Sequence, residues 1–172
     1  LVDVLTAAEN IVLGLPGGAV LNRKELERKV AELAGKYGFE IDPAKKIYNM
    51  SVSEKQTVEI LKVLYRGADI LILDEPTAVL TPQEVEDLFR VMRQLKAAGK
   101  SIIIITHKLK ETMEIADRVS VLRQGKMIES GVPVAGTTMN ELAQMMVGRD
   151  VQFAVEKAPA KPGDVVLSVK DM

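Results

Sequence analysis

The chain has 172 residues, and its 23 basic against 24 acidic residues leave a net charge of −1, without the basic excess that is typical of nucleic-acid-binding proteins. Its hydrophobic fraction of 47% and charged fraction of 27% are typical of a globular domain, and it has neither an apolar run long enough to cross a membrane nor a signal sequence for export. Cysteine is absent and His107 is the single histidine, which excludes disulfides, thiolate catalysis and the usual zinc sites.

The first third of the chain shows helical patterns, each opened by a polar residue with a glutamate three positions later. Such pairs are typical of helix N-termini, because the two side chains can cap each other's backbone N–H groups. The patterns predict a short helix to about Leu13, a second helix closed by Gly38 and a third that ends at Gly67. The opening pairs are Thr6 with Glu9, Asn22 with Glu25, and Ser51 with Glu54.

The periodicity changes after Gly67. Residues 70–73 and 102–105 are unbroken apolar runs, which predict strands that are buried on both faces. Between them, Thr81 and Pro82 open a strongly amphipathic helix that ends at Gly99. The order strand, helix, strand predicts a parallel βαβ unit.

The last part of the chain predicts a helix over residues 108–116, two strands over 118–123 and 126–129, and a final helix from Thr138 to Gly148. Residues 157–163 have the composition of a linker, and residues 165–169 have the pattern of one more strand. Since the chain begins with Leu1 and not with Met, we expect it to be part of a longer protein.

Two carboxylates, Asp74 and Glu75, follow the first apolar strand directly. In parallel α/β sheets ligands bind at that edge. A lone Asp74 would be interpreted as a strand terminator, but two adjacent acids repel each other and favour a bound cation or a proton-transfer role. Pro76 restricts Glu75 to a backbone conformation outside the right-handed helical region.

His107 follows the second apolar strand in the same way. A lone histidine is more often structural than catalytic, but parallel neighbouring strands end at the same edge of a sheet. The sequence therefore predicts that His107 lies near Asp74 and Glu75.

These residues resemble the C-terminal part of an ABC-transporter ATPase domain. Asp74 and Glu75 resemble the Walker B motif with its catalytic glutamate, His107 resembles the switch histidine, and residues 78–81 lie where the D-loop belongs. The segment Met50-Ser51-Val52-Ser53-Glu54 resembles the signature motif L-S-G-G-Q. The stretches 51–56 and 77–84 are most similar to the importers of simple sugars and nucleosides.

The resemblance implies a role for each of these residues. Asp74 would hold Mg²⁺, Glu75 would activate the attacking water, and His107 would contact the terminal phosphate of ATP. The cofactors are therefore ATP and Mg²⁺. The signature residues Ser51, Val52, Ser53 and Glu54 would contact the nucleotide held by a second ATPase domain.

The resemblance also implies the partners and the location. The partners are transmembrane permease subunits and a second ATPase domain, with no nucleic acid and no direct membrane insertion. The location is cytoplasmic, peripheral on the inner face of the cell membrane.

The chain departs from the family pattern in three places. Val52 and Ser53 replace two glycines of the signature, so each adds a β-carbon where a backbone should approach phosphate, and Thr81 replaces the D-loop aspartate. The Walker A motif is missing: the only Gly-Lys-Ser is at residues 99–101, and Gln94 stands where the first glycine of the loop should be. We expect the chain by itself to be inactive.

The expected fold is α/β, a partial P-loop (RecA-like) parallel sheet with a helical subdomain and without the Walker A strand. Residues 1–66 would form the mostly helical subdomain, 67–150 the C-terminal part of the ATPase core, and 151–172 a linker with the first strand of a following domain. Without the central strand two apolar strands keep open edges, so we expect self-association or a new pairing, for example with residues 165–169. A degenerate, non-hydrolysing ATPase domain and a receiver-like binding module are the alternatives.

Overall fold

The computed structural model describes residues 1–16 and 22–148. They belong to two compact units, of which the first extends to Ile115 and the second begins at Ala116. The first unit begins with three α-helices and a 3-10 turn, continues through a strand, a long helix and a second strand, and ends with a short helix. These elements are α1 (Ala7–Val12), α2 (Arg23–Lys36), the turn Ile47–Asn49, α3 (Val52–Tyr65), β1 (Ile70–Asp74), α4 (Pro82–Ala97), β2 (Ser101–Ile105) and α5 (Leu109–Ile115).

The helix starts agree with their sequence patterns. Capping boxes open α1, α3 and α4, at Thr6 with Glu9, Ser51 with Glu54, and Thr81 with Glu84. Asn22 caps α2 by accepting a hydrogen bond from the N–H of Glu25. Each cap satisfies backbone donors that a helix N-terminus leaves without a partner inside the helix.

One apolar core serves the first unit from α1 to α4. The inner faces of α1 and α3 contribute Ile11 and Leu61, and α4 contributes Phe89 and Leu95, all of which are at most 2% exposed. Leu71 of β1 belongs to the same core. The helices of the N-terminal segment and the first strand are therefore stabilised by shared burial, whereas the domain boundaries at 66/67 and 150/151 stay predictions.

The strands β1 and β2 pair in parallel, as the sequence predicts, with Ile70 opposite Ser101 and Asp74 opposite Ile105. The prediction that both strands are buried on both faces is wrong, because Ile72 and Ile103 are 66% and 51% exposed. Leu71 and Leu73 of β1 face the core, whereas the alternate residues Ile70 and Ile72 face outward. Within residues 1–16 and 22–115, no element covers that outer face.

The second unit contains an antiparallel hairpin, β3 (Arg118–Arg123) and β4 (Lys126–Pro133), followed by α6 (Met139–Val147). The strand β4 continues beyond the predicted end at residue 129. The register shifts between Val119 and Leu122, and the N–H of Gly131 bonds to the hydroxyl of Ser120 instead of a ladder carbonyl. This irregularity interrupts the pattern that marks a strand in the sequence.

The helix α6 begins at a capping box of Thr138 and Glu141 and ends at Gly148, whose φ of +81° suits only glycine well. The predicted linker and the predicted strand over residues 165–169 lie outside the described residues. No helix in the described ranges is both long enough and apolar enough to cross a membrane.

Candidate functional site

The carboxyl ends of β1 and β2 bring the predicted acid and histidine together. His107 Nδ1 lies 2.7 Å from Glu75 Oε1, and the backbone N–H of Glu75 donates to the carbonyl of Ile105 at 2.8 Å. Since a carboxylate oxygen can only accept, the Nδ1 atom of His107 carries the hydrogen in this contact. The prediction that His107 lies beside Glu75 is confirmed by this distance.

Glu75 is held in an unusual conformation. Its φ of +44° places it in the left-handed region, where few residues other than glycine occur. The following residue is Pro76, which excludes the right-handed helical conformation for Glu75, and the carbonyl of Pro76 accepts a 2.9 Å hydrogen bond from Gln56 of α3. The turn after β1 is thus attached to the helix that begins at Ser51.

The second carboxylate oxygen of Glu75 is buried and has no hydrogen-bond partner among the described residues. A buried acceptor without a donor is costly, and such atoms often point to a missing ligand. A water molecule that donates to this oxygen, or a cation, would satisfy it. Mg²⁺ prefers carboxylate oxygens, so the pair of Asp74 and Glu75 fits it chemically.

Asp74 ends β1 and is exposed. In the described part of the chain, no three acidic or histidine side chains converge as a possible metal centre. A magnesium ion that is bound mainly by water and by phosphate needs only one or two carboxylates from the protein. The assignment of Asp74 as the metal ligand stays a prediction.

The four predicted signature residues lie together at the start of α3. Ser51 is the N-cap, and its hydroxyl accepts from the N–H of Glu54 at 3.2 Å, which leaves its own hydrogen available to a ligand. The backbone N–H groups of Val52 and Ser53 lie in the first turn of α3, where N–H groups have no acceptor inside the helix. The side chain of Val52 is 58% exposed beside them.

Glu54 adds a negative charge to this helix start, and Lys45 compensates it. Burial alone would raise the pKa of Glu54, but the net shift is downward, because Lys45 and the N–H of Ser51 stabilise the carboxylate. The ammonium of Lys45 lies 2.6 and 2.9 Å from the two carboxylate oxygens. The side chain of Glu54 is therefore directed toward Lys45 and the N–H of Ser51.

The side chain of Ser53 is directed toward Glu84 at the start of α4. Hydrogen bonds from the backbone and side chain of Thr81 lower the pKa of Glu84, and the Ser53 side chain lowers it further. A groove of about 210 Å³ runs between these helices, lined by Ser53, Gln56 and Glu84 among others. Because Glu40 and Asp87 line it as well, the groove is a poor place for phosphate.

Sequence reasoning missed three residues beside Glu75 and His107. Thr77, Lys108 and Glu111 contact one another where the two strands end. The available signal was positional, since Lys108 directly follows His107 and Thr77 stands two residues after Glu75. Spacing alone does not reveal which long side chains meet across a turn.

Comparisons with known proteins relate the chain to a family of ATP-binding proteins. The ABC transporter family model matches residues 1–78. The chain is 52% identical to the nucleoside import ATP-binding protein NupA of Lactococcus lactis subsp. cremoris, over all of this chain and 34% of that protein. It is also 52% identical to the guanosine import ATP-binding protein NupO of Bacillus subtilis, over 98% of this chain and 33% of that protein. The chain thus spans about a third of the length of these relatives.

Solved structures show the same fold. The structure of cbiO1 from Clostridium perfringens, part of the ABC transporter complex cbiONQ, has a TM-score of 0.64 and 27% identity, over 84% of this chain and 58% of that one. The ATP-binding cassette MJ1267 of an ABC transporter has a TM-score of 0.69 at 21% identity, over 84% of this chain and 62% of that one. The expected α/β class is confirmed by these neighbours.

Proposed function

The chain belongs to the ABC transporter ATP-binding family, and we propose that it is part of a nucleotide-binding domain whose ATP hydrolysis powers the import of a nucleoside or simple sugar. The observation that carries this proposal is the 2.7 Å contact between Glu75 and His107 at the ends of two parallel strands. An acid and an imidazole at this edge suit the activation of a water molecule and contact with a phosphate.

Each site residue has its own task. Glu75 orients the attacking water and accepts its proton, and its buried free oxygen is the atom suited to that contact. His107 contacts the terminal phosphate of ATP. Asp74 holds Mg²⁺, which supplies charge neutralisation at the phosphates when it is bound.

The start of α3 contacts a nucleotide bound by a second ATPase domain. The Ser51 hydroxyl and the N–H groups of Val52 and Ser53 supply donors at a helix N-terminus, which favours an anion. Glu54 contributes through the capping box that holds Ser51 in place, because its N–H donates to the Ser51 hydroxyl and its carboxylate is paired with Lys45. The β-carbons of Val52 and Ser53 narrow the approach to this helix start.

The cargo is a nucleoside or a simple sugar, and the nucleoside is favoured by the names of the two relatives at 52% identity. The partners are transmembrane permease subunits and a second ATPase domain, with which the subunit lies on the inner face of the cell membrane. This chain by itself binds Mg-ATP more weakly than the micromolar range, since residues 99–101 close α4 and open β2 instead of forming a phosphate loop.

A non-hydrolysing domain is the second candidate function. The exposed side chain of Val52 at the start of α3 favours it, because bulk at this position opposes close contact with a phosphate. In that case the domain would bind a nucleotide for structural reasons, and Glu75 would not limit turnover.

The variant Glu75→Gln tests the proposal in a full-length subunit that contains this chain. The amide keeps the shape of the side chain but accepts no proton, so ATP binding persists while turnover falls by at least about a hundredfold. Turnover is measured with the other ATP site inactivated, so that the remaining activity belongs to this domain. Near-normal turnover in the variant would reject the role of Glu75 and favour the non-hydrolysing alternative.

A further inference from the structure

Thr77, Lys108 and Glu111 form a closed ring of side-chain contacts beside the Glu75 and His107 pair. Lys108 Nζ donates to the carbonyl and the hydroxyl oxygen of Thr77 at 2.9 and 3.0 Å, and lies 3.1 Å from Glu111 Oε1. The hydroxyl of Thr77 donates to Glu111 Oε2 at 2.5 Å. Each of the three residues therefore contacts the other two.

The ring is largely shielded from solvent, although it lies where the two strands end. Thr77 is 2% exposed, and the side chains of Glu111 and Lys108 are 18% and 34% exposed. The ammonium of Lys108 donates two hydrogen bonds to Thr77 and forms an ion pair with Glu111. Lys108 therefore has partners within the protein that hold its side chain in place.

The ring joins the two chain segments that carry the pair. Lys108 follows His107 directly, and Thr77 stands two residues after Glu75. The strained φ of +44° at Glu75 needs support from its surroundings, because a residue with a β-carbon adopts this conformation only at a cost. The ring therefore connects the segment after Glu75 to the segment after His107.

We propose that Lys108, through Thr77 and Glu111, is a positioning residue that holds His107 at hydrogen-bond distance from Glu75. The catalytic meaning of that distance rests on the proposed function, whereas the positioning itself is a geometric statement about this chain. The side-chain nitrogen of Lys108 contacts neither Glu75 nor His107. Lys108 instead holds the two backbone segments to which these residues belong.

Lys100 provides a matched control at the opposite ends of the same strands. Its ammonium lies 2.7 Å from Asp69 Oδ1, and the N–H of Ser101 donates to the carbonyl of Asp69. Lys100 thus connects the starts of β1 and β2 as Lys108 connects the segments after their ends. Loss of either lysine removes a cation and an ion pair, but only Lys108 lies beside His107.

The single histidine makes the test direct. In the chain with ¹⁵N-labelled histidine at about pH 9, where an ordinary imidazole is neutral, the long-range ¹H–¹⁵N spectrum reports which ring nitrogen of His107 carries the hydrogen. The contact with Glu75 requires hydrogen on Nδ1. We expect Lys108→Met to lower the ratio of Nδ1–H to Nε2–H by about two- to tenfold, the effect of losing one hydrogen bond, and Lys100→Met to leave it unchanged.

Circular dichroism establishes that each variant is folded. If Lys108→Met does not fold, Glu111→Gln decides by the same ratio, since the amide keeps the size of the side chain and weakens the ring. An unchanged ratio in the folded variant, an equal change in Lys100→Met, or a wild-type spectrum without Nδ1–H would overturn the proposal. The expected fall of the ratio in Lys108→Met, combined with full turnover of Glu75→Gln in the complete subunit, would instead reject the proposed function and leave the positioning role standing.

Discussion

Glu75 combines the side chain that we propose to be catalytic with a backbone conformation that glutamate rarely adopts. Its φ is +44°, and it stands between a strand end and Pro76. Left-handed backbone is costly for a residue with a β-carbon, and such strain is concentrated at functional sites. The orientation of the carboxylate toward His107 therefore has a conformational cost that the rest of the unit must offset.

Two substitutions separate this backbone cost from the loss of the carboxylate. Glu75→Gly and Glu75→Ala both remove the side chain, but only glycine adopts positive φ without strain. We expect the free energy of unfolding of Glu75→Gly to exceed that of Glu75→Ala by about 1 kcal/mol, measured by urea denaturation. Equal stabilities would mean that the strain at this position is negligible. Substitution of the exposed Glu86 of α4 to the same two residues is the control, and there glycine should be the less stable one.

At this scale the sequence predicts the site only in part. The closeness of Glu75 and His107 could be predicted because residues that directly follow parallel strands share one sheet edge, whereas the role of Asp74 stays a prediction. The ring of Thr77, Lys108 and Glu111 was missed, because it depends on side-chain rotamers and on a turn geometry that no periodicity encodes. The ion pair of Glu54 with Lys45 was missed for the same reason.

The helices begin where their capping residues stand. In α1 the hydroxyl of Thr6 accepts from the N–H of Glu9, and the carboxylate of Glu9 accepts from the N–H of Thr6 at 2.8 Å. That backbone hydrogen bond, together with the charges of Lys46 and Arg23, lowers the pKa of Glu9 against the opposing effect of burial. Because α1 is only six residues long, its formation depends on this cap and on the burial of Ile11.

Removal of this cap should destabilise the first unit. We expect Thr6→Ala to lower the free energy of unfolding by about 1 kcal/mol, and Thr6→Ser, which keeps the hydroxyl, to change it little. Denaturation of both variants at neutral pH measures the difference. A loss of equal size in the serine variant would show that the methyl group, and not the cap, matters.

The same cap gives the stability a defined pH dependence. The pKa of Glu9 is lower in the folded chain than its ordinary value of 4.5, so its contribution is complete above that value and is lost as the pH falls through the folded pKa. Between neutral pH and acid, Glu9→Gln should therefore show a smaller decrease in the free energy of unfolding than the wild type. Parallel pH profiles would contradict this linkage.

Element boundaries could be predicted where a local signal exists. Capping residues predict the starts of α1, α3, α4 and α6, and glycines predict where helices end. The apolar runs predict β1 and β2. The exposure of alternate strand residues could not be predicted, because an unbroken apolar run carries no information on which face is covered. The extension of β4 was missed because its irregular register has no local pattern.

On the scale of the whole molecule, the outer face of β1 and β2 is the notable apolar surface. Ile70, Ile72, Ile103 and Ile105 lie on it, and each of them is more than half exposed. Burying apolar surface contributes roughly 25 cal/mol per Å², so this face and the open strand edges favour association with a second copy of the chain.

Light scattering over a range of concentrations tests that association. We expect the apparent mass of the chain to rise with concentration, and the double variant Ile72→Lys with Ile103→Glu, which places opposite charges across the strand pair, to stay monomeric. Tyr48→Lys is the control, because Tyr48 is 60% exposed and belongs to the turn Ile47–Asn49 and not to either strand. A monomer at every concentration, with the isoleucines open to water, would contradict the expectation.

The crossover between β1 and β2 also determines when the site can form during folding. The hairpin of β3 and β4 needs only the two-residue turn at Gln124 and Gly125, and hairpins of this kind form in roughly 1–10 μs. Glu75 and His107 are 32 positions apart along the chain, so they meet only after the segment that contains α4 has closed into a loop. That closure costs chain entropy, which is offset only when the contacts between the strands form. The contact between Glu75 and His107 is therefore expected to form late in folding. Substitutions that slow the docking of α4 should delay the appearance of the Nδ1–H signal of His107 relative to the gain of hairpin structure.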